Sequence, residues 1–235
     1  MLQNEAGWTA ARKKERNMSM EDRVATFLHS LEKEEEAVVA AIEREALKEG
    51  VPIIRKETQS LLKVLLEMKK PERILEIGTA VGFSAILMSR FLGESCRIVT
   101  IEQYEKRIVA ARANFRRAGT EERITLLEGD ADKILPTLSE TFDFIFVDAA
   151  KGQYLSYLPH VLRVLEQGGI ILSDNVLQEG EILDSRFAVE RRNRTIHSRM
   201  REYLYTIKRM EELETAILPV GDGVAISVKK EKCDE

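Results

Sequence analysis

Two apolar runs in this chain end on residues whose types could do chemistry. Phe142-Asp143-Phe144-Ile145-Phe146-Val147 leads into Asp148-Ala149-Ala150-Lys151, and Gly168-Gly169-Ile170-Ile171-Leu172-Ser173 leads into Asp174-Asn175. Each reads as a buried strand of a parallel sheet, apolar until a carboxylate appears at its carboxyl end. In an open α/β sheet, ligands bind at that end. Asp148, Asp174 and Asn175 then offer oxygen ligands from neighbouring strand ends, which suits a hard, mostly hydrated cation such as magnesium. Lys151 lies one short loop farther on, placed to move a proton. A helix cap is the ordinary explanation of one isolated Asp. The whole set calls for a site.

The elements around these two runs say what such a site would serve. Arg73-Ile74-Leu75-Glu76-Ile77 is another apolar strand, followed by Gly78-Thr79-Ala80-Val81-Gly82 and an amphipathic helix over residues 83–92. Gly78 permits a tight turn at the strand end, and Gly82 permits close approach at the helix start. The next strand, Arg97-Ile98-Val99-Thr100-Ile101, ends on Glu102, where a carboxylate can accept hydrogen bonds from both hydroxyls of a ribose. A third strand over residues 123–129 delivers Asp130 and Ala131, where an adenine edge could be read. The glycine spacing is not the Gly-x-Gly-x-x-Gly that brings backbone against a pyrophosphate. This disfavours a nicotinamide dinucleotide and suits S-adenosylmethionine.

Taken together, Glu-Ile-Gly-Thr-Ala-x-Gly-x-Ser, Gly-Asp-Ala, Asp-Ala-Ala-Lys-Gly-Gln-Tyr, Ser-Asp-Asn-Val and Pro-Val-Gly-Asp-Gly-x-Ala-Ile-Ser resemble the metal-dependent class I O-methyltransferases related to catechol and caffeoyl-CoA methyltransferases. The likeness runs from about residue 20 to residue 230, with its motifs in order, and is greatest to the bacterial branch of tRNA 5-hydroxyuridine methyltransferases. The resemblance implies an α/β, doubly wound Rossmann-like sheet, mostly parallel with a C-terminal antiparallel hairpin and helices on both faces. It implies magnesium on Asp148, Asp174 and Asn175, with Asp148 also bordering the cofactor. Ile54, Glu76, Gly78, Ser84, Glu102, Asp130 and Ala131 line the S-adenosylmethionine pocket by the same likeness. Lys151 matches the lysine regarded as general base, and a homodimer is expected. The implied reaction is O-methylation of 5-hydroxyuridine at the tRNA wobble position to 5-methoxyuridine. Its alternative is the same chemistry on a small catechol-like phenol. Both substrates carry an oxygen beside the reacting hydroxyl, so a cation could chelate the pair.

Composition is compatible with this reading without deciding it. A chain of 235 residues is long enough for one doubly wound domain, and a formal net charge of -4 gives no global sign of nucleic-acid binding. No apolar run of about 18 residues or signal peptide appears, so no membrane partner is expected. The two cysteines, Cys96 and Cys233, are too few for a disulfide framework, and a reducing cytoplasm is the simplest address.

Residues 1–18 read as a polar extension with the basic cluster Arg12, Lys13, Lys14 and Arg16, ahead of a single domain over residues 19–235 that carries N-terminal helices. Residues 19–48 have helical periodicity in more than one segment, stopped by Gly50 and Pro52, and residues 58–69 form another helix ended by Pro71. Helices over residues 104–118, 131–138 and 154–165 alternate with the strands. A long helix is expected over residues 187–210. Two strands, residues 214–218 and 224–229, then flank a turn in which Asp222-Gly223 favours a hairpin.

Substrate choice is less legible. Catechol methyltransferases carry a bulky aromatic wall two residues after the first metal Asp, where this chain has Ala150. That leaves a wider mouth. The only tryptophan, Trp8, lies in the polar extension. Arg186, Arg191, Arg192, Arg194, Arg199 and Arg201 cluster after the second strand-end carboxylate. Arg191, Arg192 and Arg194 are the candidates for phosphate contact with tRNA, against the plainer reading of a solvated surface paired with acids such as Glu190. Tyr203 and Tyr205 read as core or dimer contacts. A non-catalytic RNA-binding module would have no use for the Asp148, Lys151, Asp174 and Asn175 set.

Overall fold

Alternation of apolar strands with amphipathic helices produces a seven-stranded sheet in the computed structural model, which describes residues 19–185 and 187–231. The basic cluster of the N-terminal extension, Trp8, Arg186 and Cys233 lie outside the described residues. The chain divides into two compact units between Glu35 and Glu36. In the first, helix α1 spans Met20–Ser30. All other elements belong to the second.

That second unit opens with α2 (Ala37–Lys48) and α3 (Lys56–Lys69), followed by β1 (Arg73–Ile77), α4 (Phe83–Leu92), β2 (Arg97–Glu102), α5 (Glu105–Ala118) and β3 (Ile124–Glu128). A short α6 (Ala131–Ile134) leads to β4 (Phe142–Val147), α7 (Tyr154–Val164) and β5 (Leu165–Ser173), and α8 (Arg194–Arg209) precedes β6 (Leu213–Leu218) and β7 (Val224–Lys229). The strand order is β3-β2-β1-β4-β5-β7-β6. All neighbours from β3 to β5 are parallel, whereas β7 runs antiparallel to both β5 and β6. The order reverses direction between β1 and β4, the switch point where a crevice opens at the carboxyl ends.

Strand period explains the two cores. On β1, Ile74 packs with Leu62, Ile86 and Phe115 of α3, α4 and α5, while Leu75 and Ile77 pack on the other face with Tyr154, Val161 and Met200 of α7 and α8. Both faces are covered, so the central strands read as continuous apolar runs.

The expected helix over residues 187–210 is shorter, starting at Arg194. Backbone turns occupy the preceding stretch, with Ala188 N–H bonded to Ser185 O and Asn193 N–H to Glu190 O. The Arg194 guanidinium closes this loop, donating to Val189 O at 3.1 Å and Phe187 O at 3.2 Å. The helix expected over residues 131–138 is α-helical only to Ile134, and a tighter turn over Leu135–Thr137 follows. Pro136 has no N–H to continue the α-helical ladder.

Candidate active site

Strand register brings the two carboxyl-terminal acids together. Val147 of β4 pairs with Ser173 of β5, so the next residues, Asp148 and Asp174, emerge side by side. Backbone bonds carry the alignment past the strand ends, from Asp148 N–H to Ile77 O and from Asp174 N–H to Val147 O. Asn175 then turns back in the left-handed region at φ 59, and its Nδ2 donates to Asp148 Oδ1 at 3.1 Å. Such a conformation is uncommon for a residue with a side chain and concentrates at functional sites. Tyr154 lies buried beneath, its hydroxyl within reach of Val147 O at 3.2 Å and Asp174 O at 3.0 Å. It thus clasps both strand ends from below.

The two acids are held in an uncomfortable state. Burial pushes the Asp174 carboxyl up to about 7, and the charge of nearby Asp148 adds to the shift. Burial likewise raises Asp148 to about 6, although the Asn175 amide and the Lys151 charge oppose it. Among the described residues no group of three or more His, Cys, Asp and Glu forms a ready-made cage. Two mutually repelling carboxylates beside an amide are nevertheless the oxygen donors that a hard, partly hydrated cation takes. The chemistry of this donor set fits magnesium.

On the other side of the crevice, the turn after β1 is held by side chains from β2 and α4. Parallel register sets Glu76 beside Thr100. The Glu76 carboxyl is fully buried and bonded at 2.5 Å to both the Ser84 and Thr100 hydroxyls. Burial raises it to about 8, against the opposing pull of the two hydroxyls. Glu102 performs a different task. Its Oε2 accepts from Ala80 N–H, and its Oε1 accepts from Gln103 and Tyr104 N–H, each at 2.9 Å. The carboxylate therefore holds both the Gln103–Tyr104 backbone ahead of α5 and the glycine turn, where Ala80 has φ 46.

The two glycines are sterically required. A Cβ on Gly78 would lie 2.0 Å from Asp148 O, and one on Gly82 would lie 2.5 Å from the Phe115 ring. Asp130 caps α6 by accepting from Asp132 N–H, and Gly129 N–H bonds Glu102 O, so Asp130 and Ala131 stand beside the Glu102 strand end. Ile54 is buried ahead of α3, with its carbonyl accepting from Gln59 Nε2 at 3.0 Å. Ser84 is buried against Glu76 through the bond already described.

Lys151 meets a residue to which sequence reasoning assigned no site role. Its Nζ lies 3.8 Å from Asp222 Oδ2, while Arg55 Nη2 lies 3.7 Å from Asp222 Oδ1. Asp222 sits in the five-residue connection between β6 and β7, remote in sequence from both cations. Its usable signal was the Pro-Val-Gly-Asp-Gly run, which carried the family resemblance and a hairpin turn but no role for Asp222 itself.

The O-methyltransferase family profile matches residues 29–230. The chain belongs to the O-methyltransferase family. It is 36% identical over 157 residues to a catechol O-methyltransferase from Niastella koreensis, covering 64% of this chain and 71% of that one. An SAH-bound methyltransferase from Podospora anserina superposes with TM-score 0.82 at 28% identity, over 92% of this chain and 97% of the other. An O-methyltransferase from Bacillus cereus in complex with SAH gives TM-score 0.78 at 26% identity, over 88% and 97%.

In this O-methyltransferase the arginine candidates do not share one helical face. Arg191 and Arg192 precede α8, and Arg192 pairs with Glu190 at 2.7 Å. Arg194 is engaged with the loop carbonyls described above. Arg199 donates to Gly152 O, and Arg201 donates to Ile182 O at 3.0 Å. Arg194, Arg199 and Arg201 thus spend their guanidinium groups on backbone carbonyls of neighbouring turns. Tyr203 is core, bonded to Ser173 Oγ at 2.6 Å, whereas Tyr205 is exposed under the Arg209 guanidinium. Ala150 is exposed two residues beyond Asp148. Among the described residues, no helix of this O-methyltransferase is long and apolar enough to cross a membrane.

Proposed function

We propose that this chain transfers the methyl group of S-adenosylmethionine to one hydroxyl of a catechol-like phenol, with a divalent cation held by Asp148, Asp174 and Asn175. The observation that carries this reading is the meeting of those three oxygen donors with Lys151, across the crevice from the turn held by Glu102. The catechol O-methyltransferase relative and the SAH-bound structural neighbours support the choice of substrate and donor.

Methyl transfer to oxygen is an in-line displacement. The oxygen–carbon bond forms as the sulfur–carbon bond breaks, the bonding pair stays on sulfur, and the hydroxyl proton must leave. Magnesium, when bound, lowers the pKa of a coordinated hydroxyl and fixes its direction through the neighbouring oxygen. Lys151, in its neutral amine form, takes the proton from the hydroxyl oxygen on Nζ and becomes the ammonium. Glu102 offers its remaining lone pairs to the ribose hydroxyls of the donor, while Ile54, Gly78, Asp130 and Ala131 border it. Glu76 keeps Ser84 and the first turn in place. Tyr154 fixes the spacing of the two strand ends, because a misplacement of about 1 Å can cost on the order of 100-fold in rate.

A second reading is favoured by one observation, the exposed Ala150 where an aromatic wall would narrow the mouth. It is methylation of 5-hydroxyuridine in tRNA, which presents the same pair of neighbouring oxygens on a much larger molecule. One assay separates them. The protein, S-adenosylmethionine and magnesium are incubated in parallel with catechol and with tRNA containing 5-hydroxyuridine, and products are read by mass spectrometry. Gain of one methyl by catechol, lost in excess EDTA, is the expected result. Methylation confined to tRNA overturns the catechol assignment, and undiminished methylation in EDTA overturns the metal.

A further inference from the structure

We infer that Asp222 is a positioning residue for the reaction, holding Lys151 in place while its backbone fixes the loop that carries Asn175; this rests on the role proposed for Lys151. The connection between β6 and β7 is wedged into the site from outside. A Cβ on Gly221 would lie 2.7 Å from Thr58 Oγ1, and one on Gly223 would lie 2.2 Å from Leu177 Cγ. Both glycines take positive φ, 58 and 83. Gly223 O accepts from Val176 N–H at 2.9 Å, and Asp222 O accepts from Leu177 N–H at 3.0 Å. The backbone of Asp222 is thereby tied two residues beyond Asn175, while its side chain reaches Lys151, three residues beyond Asp148. One residue braces both metal-binding loops.

The Asp222 side chain is only 9% exposed, while Lys151 and Arg55 keep 36% and 50% of theirs. Ion pairs this long and this exposed on one partner add little to stability. What the arrangement does provide is direction. Lys151 has a flexible four-carbon stem, and a fixed carboxylate on one side, shared with Arg55, limits where its amine can swing. After proton transfer, the same carboxylate faces the ammonium that results.

The test is a double-mutant cycle on the full-length protein with S-adenosylmethionine, magnesium and the methyl acceptor. Lys151→Ala should lower kcat by about 100-fold or more, in the range of a lost general base. Asp222→Asn should lower kcat roughly 10-fold through misplacement of the amine, with KM for the methyl donor unchanged. The double variant should be no worse than Lys151→Ala alone, because a brace has no function without the group it holds. Multiplicative losses in the double variant, or an Asp222→Asn enzyme with wild-type kcat, would overturn the inference. A crystal structure of Asp222→Asn decides the brace without any substrate. Lys151 should leave its slot while the bond from Leu177 N–H to the residue 222 carbonyl persists, and an unmoved Lys151 sinks the idea. If the wild-type protein methylates neither phenol nor tRNA, the proposed function has failed, and the crystallographic result still stands for or against Asp222.

Discussion

Asn175 Nδ2 donates to Asp148 Oδ1 over 3.1 Å, joining the ends of two parallel strands through a residue held in the left-handed region. The bond fixes the orientation of the Asn175 amide, whose oxygen is its one atom able to bind a cation. It also occupies one Asp148 oxygen and thereby favours the ionised form that a metal requires.

Removing one of the two proposed metal-holding carboxylates should separate chemistry from donor binding. Asp174→Ala is expected to lower methyl transfer by on the order of 100-fold or more, while S-adenosylmethionine affinity changes by no more than about 3-fold. Steady-state kinetics and calorimetry check the two halves. Comparable loss of donor affinity would place Asp174 in the donor pocket instead.

Stability and metal affinity should move oppositely with pH. Asp174 and Asp148 have folded pKa values of about 7 and about 6, above their ordinary value of 3.8. Between those limits the native state binds more protons than the unfolded chain, so their contribution to stability falls as pH rises toward 7. Magnesium needs the ionised carboxylates and should bind more tightly over the same rise. Thermal unfolding with and without magnesium at pH 5.5 and pH 8 reads both signs. A metal-induced rise in Tm that is larger at the lower pH would contradict this account.

Gly78→Ala should be among the most damaging single-methyl additions to this chain. The new Cβ meets a backbone oxygen that cannot swing away, at 2.0 Å and φ 103. A cost of about 3 kcal/mol or more is expected from the combined clash and strain. Chemical denaturation measures it. Gly93→Ala has a left-handed φ but open space around its Cβ and provides the comparison, and equal losses would reduce the effect to backbone strain.

Glu102→Ala should weaken donor binding and loosen the turn together. Three backbone donors lose their acceptor, each bond worth about 1.5 to 3 kcal/mol at most for a charged partner. Both Tm and S-adenosylmethionine affinity are expected to fall. If calorimetry finds the affinity unchanged while Tm drops, Glu102 acts only to hold the backbone.

The sheet was readable because a parallel strand covered on both faces is apolar along its length and breaks pattern only where it meets solvent or ligand. That is why Asp148, Glu102 and Asp174 stood out at the ends of their runs. Glycine turns were equally legible at Gly78 and Gly82, since few other reasons put glycine between a strand and a helix. The start of α8 was not. Phe187, Val189 and the arginines keep a helix-like pattern of apolar and charged residues, but periodicity says nothing about which backbone carbonyls a guanidinium will take. Arg194 takes those of Phe187 and Val189, and the loop closes outside the helix.

By itself, then, the order of residues determined the strands, their terminal acids, the glycine turns and the chemistry such groups can perform, because each depends on composition and spacing within a few residues. Only the tertiary structure decided that Asp222 faces Lys151 and Arg55, that Glu102 holds the Ala80 turn, and that Glu76 is buried between the Ser84 and Thr100 hydroxyls. Those outcomes depend on strand order and register, with β7 inserted antiparallel between β5 and β6. Contacts of that kind join residues far apart in the chain, and local sequence carries no record of which distant side chain will arrive at a given strand end.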